Sequence, residues 1–195
     1  MPVISDEEFL RVELENGVSA ENPAYVSLMR STAEYLMLTV KPDSVLEIGS
    51  GTGVFVREMM LILGDSFTMP SKVIGIEPSI CHYEYAHRHS THPVTLVSPI
   101  GAFEYATDYW HTIVSIEVFE HLTDAQIVQY LDTFKSKYFL LTSTPYATTR
   151  EQDEAWGHIN IKQPHEWEEI FAMYGYKVKD RPRIPTEWAI LFEHV

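Results

Sequence analysis

The chain holds a single cysteine, Cys81, among 195 residues. No disulfide framework can therefore form within it, and Cys81 is expected as a packed apolar side chain. Long apolar runs are missing too: no segment approaches the roughly 18 consecutive apolar residues of a membrane span. The start, Met1-Pro2-Val3-Ile4-Ser5-Asp6-Glu7-Glu8, lacks the basic region and apolar stretch of a secretion signal. A reducing, cytoplasmic setting is the resulting expectation. Bases are scarce, 14 against 28 acids, for a net charge of −14. A field of that sign repels phosphate backbones and anionic membrane surfaces, which disfavours nucleic acid and membrane as partners. The one dense basic stretch is Lys177-Val178-Lys179-Asp180-Arg181-Pro182-Arg183. On an extended strand its four bases would share a face. It reads as a solvated sheet edge, where lysine discourages edge-to-edge pairing. Repeats and low-complexity segments are absent as well.

What is present is an ordinary globular composition, 45% hydrophobic and 22% charged, at a length that suits one domain over 1–195. Residues 1–22 are acidic and polar, with Asn16-Gly17 as a turn signal. Asn22-Pro23 opens an amphipathic stretch, Tyr25 to Val40, in which Tyr25, Leu28, Met29, Ala33, Leu36 and Met37 recur at helical spacing. Lys41-Pro42-Asp43 ends it. A strand–helix alternation follows. Strands are expected over Ser44–Ile48, Val73–Glu77, Val94–Val97, Thr112–Ile116 and Tyr138–Thr142. Helices are expected over Val54–Leu63, from Pro78 to His89, and after Thr123-Asp124, with Ile127, Tyr130, Leu131 and Phe134 facing inward. Strands separated by helices imply a parallel sheet covered on both faces. The rhythm then changes: a helix over Gln163–Tyr174 precedes two strands, Tyr176–Lys179 and Ala189–Glu193, with no helix between them. That is the pattern of an antiparallel pair closing one sheet edge.

The chemistry concentrates in Val45-Leu46-Glu47-Ile48-Gly49-Ser50-Gly51-Thr52-Gly53, which runs from the first strand into the first helix after it. Gly49 can take positive φ and reverse the chain sharply. Gly51 and Gly53 lack side chains, so a ligand can lie against the backbone, and the helix amides beyond offer donors. The turn lies at the carboxyl end of the strands, where open α/β sheets bind ligands. The spacing is G-x-G-x-G, and Val54 stands where a dinucleotide fingerprint needs its last glycine. Glu47 would face a pyrophosphate unfavourably, but it suits a ligand carrying an amino group or a sulfonium. Glu77 closes the second strand, where an acid can accept both ribose hydroxyls.

With these residues in place, the chain resembles the class I S-adenosylmethionine-dependent methyltransferases. Glu47 to Gly53 is similar to their first motif and Glu77 to their ribose-binding acid, within a likeness that spans roughly residues 30 to 195. Ser115-Ile116-Glu117-Val118-Phe119-Glu120-His121-Leu122 looks like their fourth-strand segment, and the closing antiparallel pair is similar to their usual sheet ending. The resemblance implies an α/β fold: a Rossmann-like, doubly wound, mostly parallel seven-stranded sheet. It also implies S-adenosyl-L-methionine as methyl donor. Glu47 and Gly49 would then lie near the methionine amino group, Gly51 would back the methionine portion, and Glu77 would hold the ribose. Ser98 stands where many members carry an acid facing adenine, so a backbone amide from Ile100 is the expected substitute. Glu117 would line the cofactor floor, and Ser50, Gly53 and Pro78 complete the expected cofactor-binding set.

Methyl transfer is an in-line displacement, in which the protein positions the nucleophile and supplies a favourable field. A hydroxyl or amine must also lose a proton, which a histidine or carboxylate can take. The candidate bases are His121, after the fourth strand, and His158, in Trp156-Gly157-His158-Ile159-Asn160-Ile161. The structural alternatives are that His121 packs against the Thr123-capped helix, and that His158 and Asn160 hydrogen-bond their loop closed. Glu117, Glu120 and His121 give three metal-capable side chains in five residues, and His158 can add a fourth. A similar segment holds a metal in small-RNA 3′-end 2′-O-methyltransferases. Metal-free methyltransferases carry the same letters and this chain is acidic, so no metal is expected.

The expected enzyme therefore moves a methyl group to an oxygen or nitrogen of a small acceptor, neutral or cationic by charge. Residues 1–40 would form a helical cap on the acceptor side, together with the 144–162 loop, over a cofactor-binding core of residues 41–195. Two alternatives stand beside it. One is an RNA or DNA methyltransferase, metal-assisted or not, that uses the 177–183 bases. The other is a non-catalytic binding protein on the same fold, against which the intact glycine motif and Glu77 speak.

Overall fold

The computed structural model describes residues 5–64, 72–89, 96–97, 108–146, 149 and 156–195. Among them, β1 (Ser44–Ile48), β2 (Lys72–Ile76), β3 (Leu96–Val97), β4 (Tyr109–Ile116), β5 (Lys135–Thr142), β6 (Tyr176–Asp180) and β7 (Ile190–His194) form one sheet. Its order is β3-β2-β1-β4-β5-β7-β6. The first five strands run parallel, while β7 is antiparallel to both β5 and β6. The mixed sheet is thus mostly parallel, with a closing antiparallel pair. One of its seven strands, β3, is two residues long.

The central strands are buried on both faces because successive side chains point to opposite sides. Leu46, Ile113, Phe139 and Phe192 belong to one apolar cluster, with α5 (Asp124–Thr133) and α6 (Pro164–Met173). Their neighbours Val45, Val114, Leu140 and Leu191 belong to the other, with α2 (Pro23–Thr39) and α3 (Val54–Gly64). Phe171 anchors the first cluster, stacked on Phe192 with ring centroids 4.2 Å apart. On α5, Thr123 and Gln126 form a reciprocal capping box at the expected start.

Three features depart from the sequence reading. First, α1 (Asp6–Glu15) is a regular helix capped by Ser5, within a stretch whose sequence reading gives only acidic, polar character and the Asn16-Gly17 turn; the turn is there, directly after the helix, with Gly17 at φ 81°. It packs on α4 (Ile80–His89) with Phe9, Leu10, Val12 and Leu14 half-buried, and buries none of its residues fully. Second, β4 and β5 each begin three residues earlier than expected. In β5 the opening Lys135-Ser136-Lys137 alternates exposed, buried, exposed, and the Ser136 hydroxyl is paired with the Tyr176 hydroxyl at 3.0 Å. A polar residue satisfied inside the sheet hides a strand from a search for apolar runs. Third, Cys81 on α4 is half-buried rather than packed away.

β6 is the edge strand, as its lysines suggested. Lys179 pairs with Glu193 at 3.2 Å, and Arg181, past the strand end, pairs with Glu168 at 2.7 Å. No described helix is long and apolar enough to cross a membrane.

The order of strands reverses between β1 and β4, whose carboxyl ends part to go to opposite sides of the sheet. Such a switch point opens a crevice. The glycine turn leaves β1 there, Glu117 leaves β4 there, and Glu77 follows β2 on the near side.

Candidate active site

The turn after β1 folds back over the end of β2. The amides of Gly49 and Ser50 both donate to the Ile76 carbonyl, at 2.9 and 3.1 Å, and Gly53 N–H closes the turn on Ser50 O at 2.8 Å. Glu77 fastens the same turn from below: one carboxylate oxygen accepts Gly51 N–H at 2.7 Å and the other Ser79 N–H at 2.8 Å. Gly49 and Gly51 hold φ of 70° and 49°. A Cβ on Gly49 would lie 2.5 Å from Val118, whereas one on Gly51 would meet no atom within 4 Å. Gly49 is therefore required by packing, and Gly51 faces open space.

That space is a cavity of about 280 Å³. Glu47, Gly49, Ser50, Gly51, Glu77 and Pro78 line one side of it, and Glu117, Val118 and His121 another. Helix α1 contributes Phe9 and Glu13. Phe9 packs against His82 and His121, with centroids 5.4 and 5.3 Å away. Glu13 reaches His82 Nε2 at 2.8 Å, and His82 Nδ1 meets Ser79 Oγ at 2.8 Å. Gly53 does not line the cavity; it sits at the start of α3 and shapes the turn. Ser98 and Ile100 lie outside the described residues.

The polar groups here are poorly satisfied. Glu47 Oε2, Ser50 Oγ and Thr52 Oγ1 are buried without hydrogen-bond partners. Burial, with Glu77 nearby, holds the Glu47 carboxyl well above its usual range. Burial pushes Glu77 upward too, against the pull of the Ser79 amide. Two buried acids and stranded hydroxyls describe a site that gains from a ligand bringing positive charge and hydrogen-bond donors.

A second cavity of about 310 Å³ adjoins the first. Phe9, Glu13, Tyr25, Ile116, Glu117 and His121 line both. The second adds Glu120, Thr144, Trp156, His158, Pro185 and Thr186. Among the described residues lining either cavity there is no lysine or arginine. Glu117 has φ 52°, a left-handed backbone rare outside glycine. It is held there by Thr142, whose carbonyl and hydroxyl both accept its N–H, at 3.0 and 3.1 Å. The indole N–H of Trp188 donates to Glu117 Oε1 at 2.9 Å, and Tyr146 packs edge-on against that indole.

The two candidate histidines come together, with ring centroids 5.0 Å apart. Burial, then His158, pulls His121 down to about 4, so its imidazole is neutral at physiological pH. His158 and Asn160 part company. His158 lines the second cavity. Asn160 instead donates to Leu122 O at 3.0 Å and Asp124 Oδ1 at 2.9 Å, which pins its segment to the start of α5. Glu120, His121 and His158 each offer one ligand atom within 4.8 Å of the others.

Several lining residues were not singled out from sequence. Phe9 and Glu13 are one helical turn apart and so share a face, a signal that needed α1 to be recognised first. Pro185, Thr186 and Trp188 lie in the connection between β6 and β7, where Ile184–Pro185 is cis, and nothing local marks them as facing a site.

The comparisons with known proteins agree with this geometry. A family model described as a methyltransferase domain matches residues 24–180. The chain belongs to the methyltransferase domain family. No curated protein matches it by sequence. Among solved structures, it is similar to the mitomycin 7-O-methyltransferase MmcR at TM-score 0.65 and 15% identity, covering 98% of this chain and 61% of that one. It is similar to the magnesium protoporphyrin IX methyltransferase of Synechocystis PCC 6803, solved with bound S-adenosylhomocysteine. There the TM-score is 0.64 and the identity 11%, covering 100% and 90%. The methyltransferase domain of bacterial CtHen1-C follows at 0.62 and 17%, covering 86% and 97%. At these identities the likeness is one of fold, the Rossmann-like methyltransferase sheet.

The methyl donor of the family, S-adenosylmethionine, fits the first cavity on the chain's own terms. The open space over Gly51 accepts a ligand against the backbone, and the unpartnered Glu47 oxygen suits an ammonium group. Each Glu77 oxygen keeps a lone pair for a ribose hydroxyl beyond its backbone bond. The two glycines should separate under substitution. Gly49→Ala is expected to cost about 2–4 kcal/mol of stability, from its left-handed backbone and the clash with Val118. Gly51→Ala is expected to cost only about 1 kcal/mol while reducing S-adenosylhomocysteine affinity at least about tenfold. Thermal melts and calorimetry on the two proteins check the split; equal effects on both readouts would contradict it.

Proposed function

We propose that the chain transfers the methyl group of S-adenosylmethionine to an oxygen or nitrogen of a small, neutral or cationic acceptor seated in the second cavity. The observation that carries this reading is the pair of adjoining cavities, joined along Glu117 and His121 and lined by acids with no lysine or arginine among the described residues. In this reading Glu47 takes the methionine ammonium, Gly49, Ser50 and Gly51 back the methionine portion, and Glu77 with Pro78 holds the ribose. Gly53 shapes the turn. Bound there, the cofactor supplies an electrophilic sulfonium methyl. Residues 1–40 cap the acceptor side: Phe9, Glu13 and Tyr25 close the cavity that core residues 41–195 leave open. His158 is the first candidate to receive a proton. His121, depressed to about 4, is a weak base and serves better as a neutral hydrogen-bonding wall.

A second reading, metal-assisted methylation of RNA, is favoured by the clustering of Glu120, His121 and His158, a set that suits a divalent cation. The CtHen1-C domain is among the structural neighbours. Against it stands the lining charge, since a phosphate chain entering either cavity would meet carboxylates and no described base. The two readings separate in one experiment. With S-adenosylhomocysteine present, Mn²⁺ is expected to leave the melting temperature unchanged, and single-stranded RNA is expected not to shift in a gel at low salt. A manganese-dependent rise in melting temperature together with salt-sensitive RNA binding would establish the second reading.

A further inference from the structure

We propose that the acceptor is an amine, bound as its ammonium ion with the nitrogen against the carboxylates of Glu117 and Glu120. The inference rests on the methyltransferase reading and narrows its substrate class. Its base is the hydrogen-bonding account of the second cavity. Glu120 has 0% of its surface exposed. One of its oxygens accepts the Thr144 amide at 3.3 Å, while the other, Oε2, is buried with no donor; burial, with the Glu117 carboxyl beside it, holds Glu120 well above the usual carboxyl range, a state that a cation between the two acids would relieve. Glu117 spends one oxygen on Trp188. Glu13 enters the same cavity from α1. A hydroxyl acceptor brings one donor and no charge. An ammonium brings up to three donors and the charge that the cavity lacks. Phe9, Tyr25 and Trp156 line the same space and offer aromatic faces that attract a cation. An anionic acceptor would meet Glu117 and Glu120 with no lysine or arginine among the described lining residues, and Glu13 is already paired with His82.

Transfer to such an acceptor balances. The ammonium gives one N–H proton to the His158 imidazole, which lines the same cavity, and its freed lone pair bonds the methyl carbon. The carbon–sulfur electron pair leaves with sulfur, giving a neutral thioether and an N-methylammonium product. The imidazolium then passes its proton to solvent.

The test is direct binding to the protein loaded with S-adenosylhomocysteine, in buffer containing a chelator. Three probes of one shape serve: 2-phenylethylamine, 2-phenylethanol and 3-phenylpropionate. Calorimetry or saturation-transfer NMR is expected to show the amine binding roughly tenfold or more tightly than the alcohol, and no binding by the carboxylate. In Glu120→Gln the preference for the amine should fall to about twofold. S-adenosylhomocysteine affinity should hold there, because Glu120 does not line the first cavity. Equal binding of amine and alcohol, stronger binding of the carboxylate, or no binding by any of the three would overturn the amine assignment. So would Mn²⁺ that displaces the amine once the chelator is removed, since the carboxylates would then belong to a metal. Failure of wild type to bind S-adenosylhomocysteine is a separate result that removes the underlying reading.

Discussion

Replacing Glu77 with alanine lowers the affinity for S-adenosylhomocysteine by about a hundredfold or more. Two losses combine. Hydrogen bonds to a charged group contribute about 1.5–3 kcal/mol each, and the ribose offers two hydroxyls. The substitution also releases the Gly51 and Ser79 amides, which the carboxylate holds at 2.7 and 2.8 Å, so the floor of the cavity loses its shape. Glu77→Gln is expected to be intermediate, at about tenfold, because its NH₂ group must face a backbone N–H. Calorimetric titration of the three proteins, with circular dichroism to confirm that each is folded, reads the effect. Wild-type affinity in Glu77→Ala would show that the ligand lies elsewhere.

Glu47→Gln should make the empty protein more stable and the cofactor site worse. Burial first, and Glu77 second, raise the Glu47 carboxyl in the folded chain. A carboxyl raised on folding gives stability that is fully present below its unfolded value, near 4.5, and is lost as pH climbs through the folded value. The wild-type empty protein is therefore expected to melt at lower temperature as pH rises through and above 5. Glu47→Gln removes its share of that slope, leaving the part due to the raised Glu77 and Glu120, and gains on the order of 1 kcal/mol at neutral pH, the familiar exchange of stability for function at a ligand site. S-adenosylhomocysteine affinity should drop by about tenfold or more with loss of the partner for its ammonium. Melting curves from pH 4.5 to 8.5, with and without ligand, measure both effects. A destabilised Glu47→Gln, or a slope unchanged by it, would show that Glu47 is already satisfied in the empty protein.

The lining of the first cavity of the candidate site was legible in the sequence because its parts are local. One nine-residue stretch holds a buried strand, the turn and the helix start, and the turn's left-handed backbone leaves a glycine signature. Glu77 was found by the same logic, as an acid at the end of an apolar strand. The lining of the second cavity was only partly legible. His121 and His158 were named, but their approach to 5.0 Å depends on the Asn160 clasp, which joins segments far apart in sequence. Asn160 itself carried the same signal as His158, a polar residue in an alternating run, yet it points away to fasten the segment. Phe9 and Glu13 lie on a helix that buries no residue fully, and Trp188 reaches Glu117 across 71 positions. Contacts of that kind follow from the packing of β7 beside β5, which no local pattern fixes. In the fold, the antiparallel ending was visible from the missing helix between the last two strands. The early start of β5 was hidden by Ser136, a polar residue whose partner, Tyr176, lies in another strand.

The central claim, that the cavity over Gly51 holds the methyl donor, is tested most directly by titrating the wild-type protein with S-adenosylhomocysteine in a calorimeter. The account predicts one site per chain, with a dissociation constant on the order of micromolar. Absence of binding at millimolar ligand, by protein that melts cooperatively, would contradict it and leave the fold as a binding scaffold without its cofactor.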